Sequence, residues 1–154
     1  VVRSLPPAGA QEGSAPVVVG VDGSETSDGA VGFAARFAEA VGAPLHVVGA
    51  IPETPPTAEL QLPADYFKQL RDHTDTQLQA VVDRIRGDHP DLQVEGILEE
   101  ELPAEALKTR AEGARLLVVG SHGRGGFVGM LLGSVSRAAL FTAPCPVAVV
   151  RPLR

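Results

Sequence analysis

Two stretches of this 154-residue chain combine residue types and spacings suited to holding an anion. The longer is Gly120-Ser121-His122-Gly123-Arg124-Gly125-Gly126-Phe127-Val128-Gly129-Met130-Leu131-Leu132-Gly133-Ser134-Val135-Ser136. Glycine lets the backbone turn sharply and lets N–H groups approach an anion closely. Ser134 then opens a helix, whose first free N–H groups and positive dipole end favour phosphate. The hydroxyls of Ser134 and Ser136 add hydrogen-bonding capacity, and Arg124 carries the loop's fixed positive charge. These are the parts of a di- or triphosphate cradle, and the alternative is a glycine-rich connector serving only a tight turn. The shorter stretch is Gly20-Val21-Asp22-Gly23-Ser24. Its Asp22 either meets a ligand at a strand's carboxyl end or serves the helix that Ser24 begins.

Two familiar phosphate motifs do not fit. A P-loop needs a lysine after its last glycine, and Gly133 is followed by Ser134. The dinucleotide pattern G-x-G-x-x-G, started at Gly123, meets Val128 where its last glycine belongs.

Alternating elements must position these stretches. Residues 1–15, rich in Pro, Gly, Ala and Ser, read as a flexible tail ahead of a single domain over 16–154. The β-branched run Val17 to Val21 suits a strand buried on both faces of a parallel sheet. Apolar residues from Ala30 to Val41 recur at helical spacing, and Gly42 stands where a C-terminal glycine belongs. Leu45 to Ile51 reads as a strand, the proline-rich 52–63 as a loop, and Phe67 to Ile85 as a long amphipathic helix. Gln93 to Leu98 and Leu116 to Val119 supply two more strands, separated by a helix opened at Pro103. A helix from Ser134 to Phe141 and a strand from Pro146 to Val150 complete the series. Five strands alternating with helices predict an α/β fold: an open, doubly wound, Rossmann-like five-stranded parallel sheet with helices on both faces. Ligands of such sheets bind beyond the carboxyl ends of the strands, where the strand order reverses.

Composition narrows the function. A net charge of −6 and a pI near 5.1 argue against nucleic acid and anionic membrane surfaces as partners. Aromatic residues make up only 4% of the chain, which leaves little to stack single-stranded bases. The lone Cys145 rules out an intrachain disulfide and a Cys-rich zinc site, and its proline neighbours suit a small packed residue. His46, His73, His89 and His122 form no i, i+4 pair, so a histidine metal site is not expected. Glu99-Glu100-Glu101 reads as a solvated charge run. No apolar run reaches the length of a membrane span and no signal-peptide core precedes Ala15, so a cytoplasmic protein is expected.

The spacing Gly120-x2-Gly123-x9-Gly133-Ser134 resembles that of nucleotide-binding universal stress proteins, G-x2-G-x9-G-[ST]. The flanks V-V-V-G-V-D-G-S, L-L-G-S-V-S and C-P-V-A-V-V look like the same family, and the resemblance runs from about 16 to 152. It implies an ATP-binding fold of the adenine-nucleotide alpha-hydrolase type. Gly120, Ser121, His122, Gly123, Arg124 and Gly125 would line the ribose and phosphates, and Gly133, Ser134, Val135 and Ser136 would hold the outer phosphates. Asp22 would stand beside the phosphates or their Mg²⁺, and Gly20, Ala50 and Val119 would border the adenine. Glu101 departs from the family, which often has glycine near this point, and its side chain would crowd the ribose side. The resemblance also implies a homodimer formed by pairing C-terminal strands; the alternative is an edge covered by residues 151–154. The function expected is that of a regulatory stress-response protein that binds ATP and hydrolyses it slowly or not at all. The alternatives are a nucleotide-free dimeric interaction module, or an adenylating or phosphoryl-transfer enzyme, which would need a further catalytic group.

Overall fold

A computed structural model describes residues 2–3, 15–52, 63–123 and 131–151. Its elements run β1 (Val2–Arg3), β2 (Val17–Gly20), α1 (Glu25–Val41), β3 (Leu45–Ala50), α2 (Tyr66–Asp88), β4 (Val94–Glu99), α3 (Pro103–Arg110), β5 (Leu116–Gly120), α4 (Ser134–Thr142) and β6 (Val147–Val150). The sheet order is β1-β6-β5-β2-β3-β4, and every neighbouring pair from β6 to β4 is parallel. The five expected strands and four helices are all present, within a few residues of where the sequence places them.

Strand alternation sends successive valines of β2 to opposite faces. Val17 and Val19 join Ala30, Ala34 and Ala38 of α1 and Leu78, Val82 and Ile85 of α2 on one side. Val18 joins Leu107 of α3, Ala111 just past its end and Ala139 of α4 on the other. Helices therefore cover both faces, and the buried strand residues are aliphatic, as a sheet without aromatic filling requires.

Local chemistry sets the ends of α1. Ser24 is extended at φ −86°, ψ 158°, and its hydroxyl accepts the Ser27 N–H at 3.2 Å. Gly42 closes the helix in the left-handed region at φ 65°, where a side chain would be strained.

One departure changes the sheet. Residues 2–3, expected to belong to a flexible tail, form a sixth strand that pairs antiparallel with β6, Val2 opposite Ala148 and Arg3 opposite Val147. An edge strand carries unused N–H and C=O groups, so an extended segment of any composition can dock there. Two residues carry no periodicity by which a sequence pattern can reveal them. The rest of the expected tail lies outside the described residues.

Candidate functional site

From β2 the chain winds outward through β3 to β4, and β5 then returns to the other side of β2. The reversal falls between β2 and β5, whose neighbouring loops leave for opposite faces of the sheet. Val19 pairs with Val118, so the carboxyl ends of the two strands lie side by side and open a cleft of about 320 Å³ between them.

One part of the cleft is apolar. Val21, Val48, Ala50, Val119 and Val135 line it together with Pro103 and Leu107 of α3. Val21 N–H donates to Val48 O at 2.9 Å, and Ala50 follows Val48 in the same strand phase. The other part is polar, formed by Asp22, Ser27, His122, Gly123, Gly133, Ser134 and Ser136. An aliphatic slot opening onto hydroxyls and a helix start suits a flat heterocycle joined to a polar or anionic tail.

The start of α4 is built for close approach. Gly133 is its cap residue, at φ −74°, ψ 169°, and it provides no side-chain acceptor for the first-turn N–H groups. A Cβ there would meet only ordinary contacts, 3.5 Å from His122 Cα and from Ser121 O. Neither backbone angle nor packing demands glycine at 133, so the missing side chain serves the open space in front of the helix. Around it the loop ends are tied together: Gly133 N–H donates to Ser121 O at 2.7 Å, and Ser121 N–H donates to Val150 O at 2.8 Å.

Asp22 serves two structures at once. Its Oδ1 accepts from Ser24 N–H at 3.0 Å and from Ser24 Oγ at 2.6 Å, an Asx turn that holds the α1 cap in place. Ser24, rather than Asp22, caps the helix. The carboxylate also lines the cleft, and a Cβ on Gly123 would come within 2.6 Å of Oδ2. Glycine at 123 is what leaves the carboxylate its position. Mg²⁺ bound with a nucleotide characteristically takes one or two carboxylates plus phosphate oxygens and water. A single aspartate at the polar end fits that mode, and the described residues hold no cluster of three or more His, Cys, Asp or Glu that would form a protein-only cage.

Gly20, Asp22, Ala50, Val119, Gly120, His122, Gly123, Gly133, Ser134, Val135 and Ser136 all line the cleft. Three expectations are corrected. Ser121 is 1% exposed and does not line it; its Oγ lies 3.0 Å from His122 Nδ1, so it orients that ring from behind. Ser136 lines the cleft, yet its Oγ sits 3.0 Å from both Ser121 O and Gly133 O. That hydroxyl fastens the helix start to the end of β5 instead of offering its proton to a ligand. Glu101 is exposed and is not among the residues lining the cleft, so its side chain does not fill it. Within the glutamate run, Glu99 pairs with Arg110 and Glu100 with Arg71. Arg124 and Gly125 lie outside the described residues.

The sequence did not single out Val21, Ser27, Val48, Pro103 and Leu107 as lining residues. Val48 was legible, because it shares a strand face with Ala50. The α3 residues carried no signal, since only the crossover brings α3 over the end of β2. Leu107 lies so close there that its Cδ1 would stand 2.8 Å from a Cβ on Gly20.

Comparison with known proteins fits this geometry. The profile of the universal stress protein family matches residues 14–151. This chain belongs to the universal stress protein family. It is 40% identical over 152 residues to a universal stress protein of Mycolicibacterium smegmatis, covering 93% of this chain and 48% of that protein. The chain spans about half the length of the curated relatives it matches. Among solved structures, it is similar to a universal stress protein in complex with cAMP, at 30% identity and a TM-score of 0.64, over 88% of this chain and 96% of that one. It is also similar to the Archaeoglobus fulgidus universal stress protein in complex with dAMP, at 26% identity and a TM-score of 0.62, over 88% and 97%. No helix among the described residues is long and apolar enough to cross a membrane.

Proposed function

We propose that this universal stress protein binds ATP together with Mg²⁺ in the cleft between β2 and β5 and acts as a regulatory protein of the stress response. The carrying observation is the pairing, in one cleft, of an aliphatic slot ending at Ala50 with a helix start at Gly133 that has no side chain. The adenine lies against Val48, Ala50 and Val119, and the phosphates run toward the N–H groups of Ser134, Val135 and Ser136. Asp22 stands beside the phosphates and supplies the carboxylate for the metal, which neutralises phosphate charge when bound. The cAMP and dAMP complexes of similar proteins support an adenine nucleotide as the ligand class.

Hydrolysis is slow or absent on this reading. Among the described residues, the titratable side chains lining the cleft are Asp22 and His122, one bound to Ser24 and the other 3.0 Å from Ser121 Oγ. Each already holds a neighbouring serine, and this reading gives Asp22 to the metal rather than to a water. Turnover faster than about one ATP per second, near the low end of ordinary enzymes, would overturn this part. We also propose a homodimer through β6, in which a second copy displaces the two-residue β1, and a cytoplasmic setting for this regulation.

Calorimetric titration of nucleotide-stripped protein with Mg-ATP, beside Gly133→Lys, tests the reading. Position 133 has room for a Cβ and an ordinary backbone angle, so the variant is expected to fold while its side chain fills the phosphate space. Ligand at 100 times its dissociation constant stabilises a single-site fold by about 2.7 kcal/mol, which sets the thermal shift to look for. Binding by the unmodified chain that a folded variant loses supports the proposal. No heat and no shift with ATP, ADP, AMP or a cyclic nucleotide would favour an interaction module without nucleotide.

A further inference from the structure

The segment Leu131–Gly133 leads into α4, and side-chain burial does little to hold it. Leu131 is 71% exposed, Leu132 is only half-buried, and Gly133 has no side chain to bury. Main-chain ties hold the segment instead, and two of the ties in this region come from adjoining residues at the end of β6. Val150 O accepts the N–H of Ser121 at 2.8 Å, where the glycine-rich stretch leaves β5. Arg151, the next residue, donates from Nη2 to Leu131 O at 3.3 Å, where the stretch returns toward α4.

We infer that Arg151 is a positioning residue for the outer phosphates, acting through the Leu131 carbonyl on the course of the backbone into α4. The inference rests on the nucleotide reading above and extends it to a residue outside the cleft lining. A guanidinium is planar, always charged and rich in donors, so a carbonyl bonded to it is held in orientation. Fixing the peptide after Leu131 fixes the approach of residues 132–134 and the aim of the N–H groups that follow. The guanidinium also brings positive charge to this end of a chain with net charge −6, which favours a ligand whose charge grows with each phosphate. In the sheet order, β6 stands on the far side of β5 and β2 from β3, which carries Ala50. Arg151 is thus placed to sense how many phosphates a nucleotide has, while the base is held elsewhere.

The test compares Mg-ATP with AMP on the full chain, for the unmodified protein, Arg151→Gln and Arg151→Lys. Arg151→Gln is expected to weaken ATP about tenfold and AMP less than twofold, in line with loss of one charge-assisted hydrogen bond. Arg151→Lys should recover part of the ATP affinity, because an ammonium still donates to a carbonyl. Without ligand, amide exchange across 131–136 should quicken in Arg151→Gln while β5 stays protected. Equal weakening of ATP and AMP would mean a general structural effect and would overturn the inference, as would unchanged ATP affinity or unchanged exchange. Should the unmodified chain bind neither nucleotide, the nucleotide reading falls and the phosphate role of Arg151 with it. Exchange at 131–136 still reports separately whether the tie to Leu131 holds that segment.

Discussion

A methyl group added at Gly120 would lie 2.8 Å from Thr26 Cγ2 and 3.0 Å from the Thr26 carbonyl oxygen, so α1 itself would have to move. At Gly133 the same addition meets nothing closer than 3.5 Å. The two glycines share one motif, yet the first is required by helix-on-sheet packing and the second only by whatever occupies the cleft. Gly120→Ala is therefore expected to cost about 1–3 kcal/mol of stability in urea denaturation, the usual penalty of overpacking. Gly133→Ala should stay within about 1 kcal/mol of the unmodified chain and show its effect in nucleotide titration instead. Cys145 illustrates a residue taken out of chemistry by burial. It is 4% exposed, and burial pushes its thiol up to about 11, a rise that a backbone hydrogen bond at Leu117 only partly opposes. The unfolded chain would lose this proton first as pH rises from 9.0 toward about 11, so stability contributed by the neutral thiol is full below that window and lost through it. A thiol reagent at pH 8 is expected to label the protein at its unfolding rate; rapid labelling of the folded chain would contradict this.

At the level of elements, the cap of α1 and the floor of the cleft are one construction. Ser24 accepts from Ser27 N–H through its hydroxyl and, through that same group, donates to Asp22 Oδ1. Ser24→Ala should cost about 1 kcal/mol in stability through the lost cap. It should also loosen the Asp22 carboxylate, which keeps the Ser24 N–H but loses the Ser24 hydroxyl, so that added Mg²⁺ improves ATP binding less than it does for the unmodified chain. Paired titrations with and without Mg²⁺ check this, and an unchanged Mg²⁺ effect would separate the cap from the site. The helix-opening Pro103 and helix-closing Gly42 act as the sequence leads one to expect. Helix α3 ends at Arg110, and the chain turns at Gly113 with φ 70°.

For the whole molecule, the open question is what covers the β6 edge. In this chain Val2 and Arg3 pair with Ala148 and Val147, on the side where a second copy would add its own strand. Two residues of antiparallel pairing are a weak cover, and partly exposed Val149 and Val150 continue beyond it. Removing residues 1–14 is expected to raise self-association, seen as a lower dissociation constant in sedimentation. Unchanged association would mean that the N-terminal segment does not compete for the edge. The opposite edge, β4, pairs Glu95 with His46 at 3.6 Å and Glu99 with Arg110, and charges of this kind discourage strand addition.

Apolar runs and punctuating glycines and prolines are local signals, so the class of fold, the five parallel strands, the cap at Ser24 and the left-handed Gly42 could all be read along the chain. The motif spacing from Gly120 to Ser134 likewise pointed to the strand end and helix start that line the cleft, because those residues are close in sequence. Partners distant in sequence could not be read in this way. Leu107 under Gly20, Thr26 against Gly120, Ser136 tied to Ser121, Arg151 reaching Leu131 and Val2 on β6 are separated by 15 to 146 positions. Their meetings follow from crossover paths and strand order, which no periodicity encodes. Local patterns along the chain were enough to say which elements form and where an anion could be met. Only the tertiary structure decided which glycines answer to packing and which to a ligand, and which side chains support the site from behind, because those outcomes depend on distances between segments that only the fold brings together.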